Sequence, residues 1–188
     1  METLAVPERE VTTDAELFAR LYPRLRRLAA VSGGTGDDPD DLVQEAVTRT
    51  LRALGRQGRT LGELDNPGAY LSRTIVNLAA NRRRSLARWR TAMSRVGRSE
   101  EATLPQYSSD LADLLRIDAR TRAVLYLVEV EGQTYAEAGA LLELSEEAAR
   151  TRASRARQRL RVELTAEMAE EVAGDTAGDD GSGGTDHG

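Results

Sequence analysis

The residues best suited to chemistry in this sequence are arginines near its C-terminal end. Between positions 133 and 161 the chain reads QTYAEAGALLELSEEAARTRASRARQRLR, and arginines occupy positions 150, 152, 155, 157, 159 and 161. Guanidinium groups bind phosphates and guanine edges through paired hydrogen bonds. The pattern therefore favours nucleic-acid binding over catalysis.

This stretch is predicted to form two short helices joined by a tight turn. Thr134 can cap the first helix, and Glu137 follows at the spacing of a capping box. Ser145 can cap the second helix, whose first turn carries two acids that the helix dipole favours. One side of the second helix carries small or apolar residues that can pack closely, namely Ala149, Ala153, Ala156, Leu160 and Leu164. The pattern predicts a DNA-binding helix-turn-helix, with a merely solvated charged helix as the alternative.

Residues that support most catalysis or metal binding are scarce. The chain has no cysteine, and its single histidine, His187, lies in a Gly- and Asp-rich terminal stretch. Thiolate or histidine metal sites and nucleophile–histidine pairs therefore lack their essential groups. We expect no enzyme activity, no catalytic residue, no metal and no cofactor.

The sequence also lacks membrane and export signals. No apolar run approaches the roughly 20 residues that cross a bilayer. The N-terminal METLAVPERE lacks the basic start and apolar core of a signal peptide. We expect a cytoplasmic protein that does not contact a membrane.

The net charge of −5 is unevenly distributed. Eight acids and no base lie between Glu163 and Gly188, so the rest of the chain carries 26 arginines against 23 acids. There is no lysine. A coding bias accounts for that most simply, but arginine also suits bidentate recognition of phosphate and guanine.

Three further helices are predicted upstream. Asp14 can cap the first, and Pro23 inside it is expected to kink it or to move its start. A cap residue followed by proline opens the second helix at 38–39 and the third at 66–67. The side chains expected to point inward from these helices are Leu17, Phe18, Leu21, Tyr22, Leu25, Leu28 and Ala29; Leu42, Val43, Ala46, Val47, Thr50, Leu51 and Leu54; and Tyr70, Leu71, Thr74, Ile75, Leu78 and Ala79.

The third helix has a polar side as well. Arg73, Asn77, Asn81 and Arg84 are expected to line up opposite its buried face. A run of seven arginines without an acid follows at positions 82–98. Asparagine can pair with base edges while arginine holds phosphate, so this side is a second candidate nucleic-acid surface.

These segments predict an all-α protein of two small helical domains joined by a flexible linker. The first domain is assigned to residues 14–96, the linker to 97–109 and the second domain to 110–164. Asp110 and Asp118 are expected to begin the first two helices of the second domain. The acidic tail, 165–188, is expected to be disordered.

Both halves together resemble the extracytoplasmic-function (ECF) sigma factors of bacterial RNA polymerase. DDLVQEAVTRTL and PGAYLSRTIVNLAANRRR match the family's region 2. DARTRAVLYLVEVEGQTYAEAGALLELSEEAARTRASRARQRLR matches its region 4. The resemblance covers roughly residues 14–164, with both blocks in the family's order and spacing.

The resemblance implies a transcription factor that acts without catalysis. Its partners would be core RNA polymerase, through the β′ clamp helices and the β flap, and promoter DNA. The resemblance is also compatible with an anti-sigma factor as a further partner. The residues matched to polymerase docking are Asp41, Leu42, Gln44 and Glu45.

The same resemblance assigns promoter recognition. The third helix and the loop before it would bind and open the −10 element, with Arg73, Asn77, Asn81, Arg82 and Arg84 as candidate contacts. The last helix would bind the −35 element through Ser145, Arg150, Arg152, Ser154, Arg155 and Arg157.

The chain departs from the family pattern at several positions. Asn81 stands where an aspartate is usual, and Glu143 and Glu147 replace common glycines. Gly139 and Ala149 replace larger residues, so region 4 is expected to be looser than usual. The acids are expected to weaken phosphate contacts near the recognition helix.

Two other functions are compatible with the arginine-rich helices. A stand-alone helix-turn-helix repressor or activator would bind its operator without polymerase, but residues 14–96 do not resemble a sensing or dimerisation domain. An RNA-binding or RNA-processing protein would need recognition aromatics on strands or a clustered catalytic site, and the sequence predicts neither.

Overall fold

The computed structural model describes residues 13–95 and 116–178 of the chain, and its regular elements there are helical. The predicted all-α class is confirmed. The predicted linker and the first helix of the second domain, after Asp110, lie outside the described residues. The helices are α1 (Asp14–Ser32), α2 (Pro39–Gly55), α3 (Pro67–Arg95), α4 (Ala119–Leu125), α5 (Tyr135–Leu142) and α6 (Glu146–Gly178).

The N-cap of the first helix lies one residue before the predicted cap. Thr13, not Asp14, is the N-cap, because the Thr13 hydroxyl and the Glu16 carboxylate form a reciprocal capping box. The Asp14 carboxylate instead accepts hydrogen bonds from the backbone of Leu61 and Gly62, each at 3.1 Å. It thereby caps a short 3-10 turn, Leu61–Glu63, in the loop between α2 and α3. Pro23 lies inside α1 and does not move the start of the helix, which is at Asp14.

The cap-plus-proline signals predicted the next two helix starts correctly. The Asp38 carboxylate accepts from the backbone of Asp40, and Pro39 takes the first helical position. Asn66 accepts from the backbone of Ala69 at 2.8 Å, and α3 begins at Pro67.

The helices α1, α2 and α3 enclose one core, and most of the predicted inward residues belong to it. Two predicted core positions are wrong. Leu51 and Tyr70 are 41% and 37% exposed, because each lies at the edge of its helix's apolar face. The fully buried members of this core are Leu25, Ala29, Leu42, Val43, Ala46, Leu54, Leu61, Leu71, Ile75, Leu78, Ala79 and, from α4, Ala119.

The last three helices form the C-terminal unit, residues 116–178; residues 13–95 are the N-terminal unit. Asp118 caps α4 as predicted, and its carboxylate accepts from the Thr121 backbone at 3.1 Å. A π-helical turn, Tyr126–Val130, extends α4. The chain then reverses at Gly132, whose φ of +68° suits glycine.

The last helix is longer than predicted. It continues to Gly178, so the expectation of disorder is wrong for residues 165–178. The sequence TAEMAEEVAGDTAG has no proline and is rich in the helix formers Ala, Glu and Met, which explains the extension. Residues 179–188 lie outside the described part of the chain.

The two units share a second core. Leu28 of α1 and Val76 of α3, each 1% exposed, pack into the cluster formed by the C-terminal unit. The sequence pattern assigned Val76 neither to the buried face of α3 nor to its polar side. The members contributed by the C-terminal unit are Ala123, Val124, Tyr126, Leu127, Ala138, Leu141, Leu142, Ala149 and Ala153.

A buried arginine crosses the boundary between the units. Arg122 of α4 is 1% exposed and donates to the backbone carbonyls of Val31, Ser32 and Gly33 at the end of α1. Those carbonyls lack partners within α1, and the last turn of α1 has no basic residue of its own. Arg122 therefore caps α1 from the other unit, at the negative end of its dipole.

Burial, with a smaller contribution from the neighbouring Arg83, lowers the pKa of Arg122 to about 10. The guanidinium therefore stays charged at neutral pH, and its hydrogen bonds to carbonyls are charge-assisted.

We expect Arg122→Met to lower the free energy of unfolding by at least about 3 kcal/mol, because buried carbonyls lose charged donors. Urea denaturation followed by circular dichroism measures the loss. Arg20→Met, which removes an exposed arginine of α1, is the control and is expected to change stability by less than about 0.5 kcal/mol. Equal stability of the two variants would contradict the capping role.

Candidate nucleic-acid interface

The predicted helix-turn-helix is present in the C-terminal unit as α5, a three-residue turn and α6. Thr134 and Glu137 form the predicted capping box on α5. The Ser145 hydroxyl caps α6 by accepting from the backbone of Ala148 at 3.1 Å. Local sequence signals therefore determine where both helices begin.

The turn between the helices is tight and strained. Glu143 adopts a left-handed conformation with φ of 58°, and it is the only non-glycine residue with positive φ in the described part of the chain. Gly139 lies against the turn, and a Cβ there would be 2.8 Å from the carbonyl oxygen of Leu144. The expectation that Gly139 loosens region 4 is wrong, because its missing side chain permits this close backbone approach.

Alanines hold α6 against the rest of the unit. Ala149, Ala153 and Ala156 are at most 4% exposed, as the small-residue stripe predicted. Ala149 is fully buried, so the small side chain at this position is closely packed. The arginines of α6 lie to either side of this stripe, on the exposed part of the helix.

Three of the predicted −35 residues contact groups within the C-terminal unit. Arg150 pairs with Glu146 and lies over the Tyr135 ring, 5.6 Å from its centroid. Arg157 pairs with Glu129 and donates to the Tyr135 hydroxyl at 3.0 Å. The third, Arg152, lies 3.7 Å from a carboxylate oxygen of Asp118. These contacts orient the guanidinium groups and reduce the net positive charge around them.

The other predicted −35 residues face solvent. Ser154 and Arg155 are exposed, and Arg155 forms no ion pair with any described residue. Arg155 also lines an open groove of about 520 Å³ between α4 and α6, together with Arg152, Arg159, Thr151 and the acids Asp118 and Glu147. Its arginines are donors suited to phosphate oxygens, whereas the two acids oppose a phosphate there.

Two of the predicted −10 residues contact the C-terminal unit in this structure. Arg73 donates to the carbonyls of Ala140 and Leu141 and pairs with Glu143 at 2.9 Å. The Asn77 side-chain oxygen accepts from Arg120 at 2.8 Å. In this structure the helix-turn-helix therefore packs on this side of α3.

The remaining −10 candidates lie further along α3. Asn81 and Arg84 are exposed and hydrogen-bonded to each other. Arg82 pairs with Asp37 at 3.1 Å and with Glu45 of α2. Arg82 therefore ties the α1–α2 loop, α2 and α3 together within the N-terminal unit.

The predicted polymerase-docking residues of α2 separate into two groups. Asp41 and Gln44 are exposed, whereas Leu42 is 0% exposed and belongs to the core, so the expectation that Leu42 contacts a partner is wrong for this structure. Glu45 is half-buried between Arg49 and Arg82. Burial works to raise the pKa of Glu45, but hydrogen bonding to Arg82 and the two positive charges outweigh it, so its pKa is lowered.

No three His, Cys, Asp or Glu side chains within 13–95 and 116–178 are grouped so that they could hold a metal ion. None of the described helices has the length and hydropathy needed to cross a bilayer.

Comparison with known proteins matches both units to one family. The model for Sigma-70 region 2 matches residues 17–91, and the model for Sigma-70 region 4 matches residues 114–160. The RNA polymerase sigma factor CarQ of Myxococcus xanthus is 31% identical over 151 residues, which cover 74% of this chain and 82% of CarQ. The chain belongs to the Sigma-70 family of RNA polymerase sigma factors.

One further relative is an ECF sigma factor by name, and one solved structure shares the fold. The ECF RNA polymerase sigma factor SigM of Mycobacterium tuberculosis is 28% identical over 77% of this chain and 73% of SigM. The sigma factor RpoE of Bartonella quintana, solved in complex with the anti-sigma factor NepR, shares the fold with a TM-score of 0.51. That alignment covers 80% of this chain and 96% of RpoE, at 22% identity. Membership in the family makes this sigma factor a polymerase-binding protein that directs promoter-specific initiation.

Sequence reasoning missed the residues that join the two units of this sigma factor. Arg24, Arg120 and Arg122 were not singled out, although all three bridge the units. The burial of Arg122 could have been suspected from the sequence, because Arg122 directly precedes the apolar run AVLYLV in a helix expected to be buried. Tyr135 was not singled out either, yet its ring and hydroxyl contact two of the arginines predicted to bind the −35 element.

We expect Gly139→Ala to destabilise the sigma factor by about 1–3 kcal/mol, because the new methyl group meets the Leu144 carbonyl oxygen. Gly55→Ala is the matched control, since a Cβ there meets nothing within 4 Å. It is expected to stabilise by up to about 1 kcal/mol. Thermal denaturation compares the two, and a Gly139→Ala protein as stable as Gly55→Ala would contradict the close approach.

We expect Arg155→Ala to weaken binding to a −35 duplex and to reduce the salt dependence of that binding by about one counterion. The reason is that Arg155 has no competing ion pair among the described residues. Fluorescence anisotropy at several salt concentrations provides the measurement, with Arg20→Ala as the exposed control. An unchanged salt slope would remove Arg155 from the DNA contacts.

Proposed function

We propose that this chain initiates transcription by dividing the work between its two units. The N-terminal unit docks on polymerase and binds the −10 element, and the C-terminal unit reads the −35 element. The single observation that carries this assignment is the helix-turn-helix itself. Its second helix packs through buried alanines and carries Ser154 and Arg155 on its exposed side, within the segment that matches region 4.

The −35 contacts are proposed on α6. Arg155 and Ser154 offer donors without a described ion pair. Arg152 lies with Arg155 beside the groove between α4 and α6, whereas Arg150 and Arg157 lie at Tyr135 on the other side of the alanine stripe. Ser145 lies at the N-terminus of α6, where backbone amides favour a phosphate. A helix that presents several arginines in this way fits the major groove, where arginine pairs with guanine.

The −10 contacts are proposed on α3. Asn81, Arg82 and Arg84 lie along the helix where it leaves the core, and Arg73 and Asn77 precede them on the side that faces the C-terminal unit. Opening the −10 element removes a base from the stack at a cost of a few kcal/mol. The loop between α2 and α3, over 56–68, is the proposed place for that base.

Polymerase docking is proposed on α2, with the β′ clamp helices as the contact. Asp41 and Gln44 supply the exposed polar surface, and Glu45 lies at its border. The C-terminal unit would contact the β flap, and an anti-sigma factor is a further partner, as it is for the Bartonella relative. Two weak DNA-binding units on one chain gain affinity from effective concentration, so neither needs a large positive field of its own.

The chain is proposed to act in the cytoplasm and without catalysis of its own. The only histidine of the chain is His187, and there is no cysteine, so nucleophile–histidine chemistry has no residues to use. The reaction belongs to the polymerase, and the sigma factor supplies position and strand separation.

Run-off transcription tests the proposal. Purified core polymerase with this chain is expected to give specific transcripts from a panel of genomic promoters, and core polymerase alone is not. Asp41→Ala is expected to need about 10-fold more protein for half-maximal transcription, because an interfacial charged contact is lost. Arg20→Ala, an exposed side chain of α1 outside the docking set and outside the proposed −10 and −35 surfaces, is the control.

Duplex binding without polymerase distinguishes a sigma factor from the alternative function. Sequence-specific operator binding by the chain alone, with no stimulation of run-off transcription, would favour a stand-alone repressor or activator.

A further inference from the structure

The side of α3 that faces the N-terminal core continues beyond the end of that core. Ile75 is buried in the core, and Leu86 and Trp89 follow it after 11 and 14 residues. These separations are about three and four helical turns, so all three side chains lie on one side of α3. Leu86 and Trp89 are nevertheless 42% and 53% exposed. An apolar pair left in water on one side of a helix is suited to a partner.

Arg82 marks the end of the covered part of this side. It pairs with Asp37 at 3.1 Å and with Glu45, which lie in the α1–α2 loop and in α2. Every side chain from Arg84 to Ala92 is exposed. We call this exposed segment the α3 arm. Neither α1 nor α2 covers it, so the apolar side of α3 is open there.

The α3 arm and the turn before it are strongly basic. Between Asn81 and Met93 there are five arginines and no acid. Two of the five, Arg82 and Arg83, are bonded within the protein, the second to backbone carbonyls of the C-terminal unit. Arg88 and Arg90, which flank Trp89 in the chain, are exposed, and neither pairs with a described acid. The exposed indole ring therefore lies among positive charges that are available to an anion.

A single nucleic-acid strand has both features that complement this surface. Its phosphates attract guanidinium groups, and each unpaired base offers a flat face that stacks on an aromatic ring. In a duplex the bases are stacked on one another, so a side chain reaches their faces only by opening a base step. An acidic protein segment would satisfy the arginines but offers no comparable flat partner to Trp89. The combination of ring and charge therefore favours a single strand.

This surface differs from the one proposed for the −10 element. Asn77 and Arg84 lie about a third of a turn away from Trp89 around the helix axis. The polar side of α3 can therefore be occupied while the apolar side of the arm remains open to a second contact.

We propose that Leu86 and Trp89 form a stacking site for an unpaired nucleobase, with Arg88 and Arg90 binding the phosphates beside it. In a promoter complex this site would hold a separated strand close to the −10 element, and only that use rests on the proposed function. Binding of a strand to the arm requires neither polymerase nor a promoter sequence.

Trp89 reports directly on this site because it is the only tryptophan of the chain. The full-length protein is titrated with a single-stranded DNA of about 12 nucleotides, with the matching duplex, and with a strand of the same length that carries abasic sites in place of its bases. The single strand is expected to quench the Trp89 emission and to bind at least about 5-fold more tightly than the abasic strand, since stacking needs the base. The duplex is expected to quench Trp89 less than the single strand.

Variants assign the effect to the arm, with fluorescence anisotropy of a labelled strand as the measurement. Trp89→Ala is expected to weaken binding of the single strand by at least about 5-fold and to leave the abasic strand unaffected. Trp89→Phe keeps a ring and is expected to lose less. Leu51→Ala removes an exposed apolar side chain of α2 and is the matched control, expected to change neither affinity.

The arginines are tested by salt dependence. Arg90→Ala is expected to weaken binding of the base-bearing and the abasic strand alike and to lower the salt slope by about 0.7, the value for one phosphate contact on a single strand. An unchanged slope would remove Arg90 from the site.

Three results would overturn the stacking site. They are equal affinity for the base-bearing and abasic strands, a Trp89→Ala protein that binds the single strand like the wild type, and quenching by a polyglutamate peptide without quenching by the strand. The last result would assign the arm to an acidic protein.

The stacking site and the proposed function fail in different experiments. Base-dependent quenching of Trp89 without stimulated run-off transcription would overturn the proposed function and leave the site intact. Stimulated transcription by a chain whose Trp89 emission does not respond to the strand would overturn the site and leave the function intact.

Discussion

The arrangement of the whole molecule depends on one buried guanidinium. Arg122 lies between two units that the chain connects through residues outside the described part, and it satisfies three carbonyls at the end of α1. A buried charge is tolerated only where hydrogen bonds compensate its lost hydration. Those carbonyls belong to one unit and the arginine to the other, so separating the units exposes both to water together.

The same boundary explains why α3 is apolar or half-buried on two sides. Ile75 and Leu78 face the N-terminal core, while Val76 faces the C-terminal unit. If the second side of α3 faced solvent, only Ile75 and Leu78 would need to be apolar. The polar residues between these faces, Arg73 and Asn77, therefore have a structural use and a proposed nucleic-acid use. Groups with two alternative partners are suited to an exchange between them, because each arrangement satisfies the same hydrogen-bonding atoms.

In the helix-turn-helix, local chemistry determines where the helices begin, and tertiary packing determines how closely they approach each other. Caps at Thr134 and Ser145 set the helix starts, and these could be predicted since a cap acts within three residues. The approach of Gly139 to the turn could not, because it depends on where the backbone goes after Glu143. A glycine in place of a larger family residue suggested looseness from sequence, whereas in three dimensions it allows a closer contact.

The sequence by itself determined the all-α class, most helix starts, the family and the arginine-rich recognition helix, because these follow from local patterns of a few residues. It did not determine that Leu42 is buried, that the last helix continues to Gly178, or that the C-terminal unit covers Arg73 and Asn77. Contacts between residues far apart in the chain, such as Arg122 with Val31, leave no fixed spacing in a sequence. Only the tertiary structure could decide which polar side chains face solvent and which face the other unit.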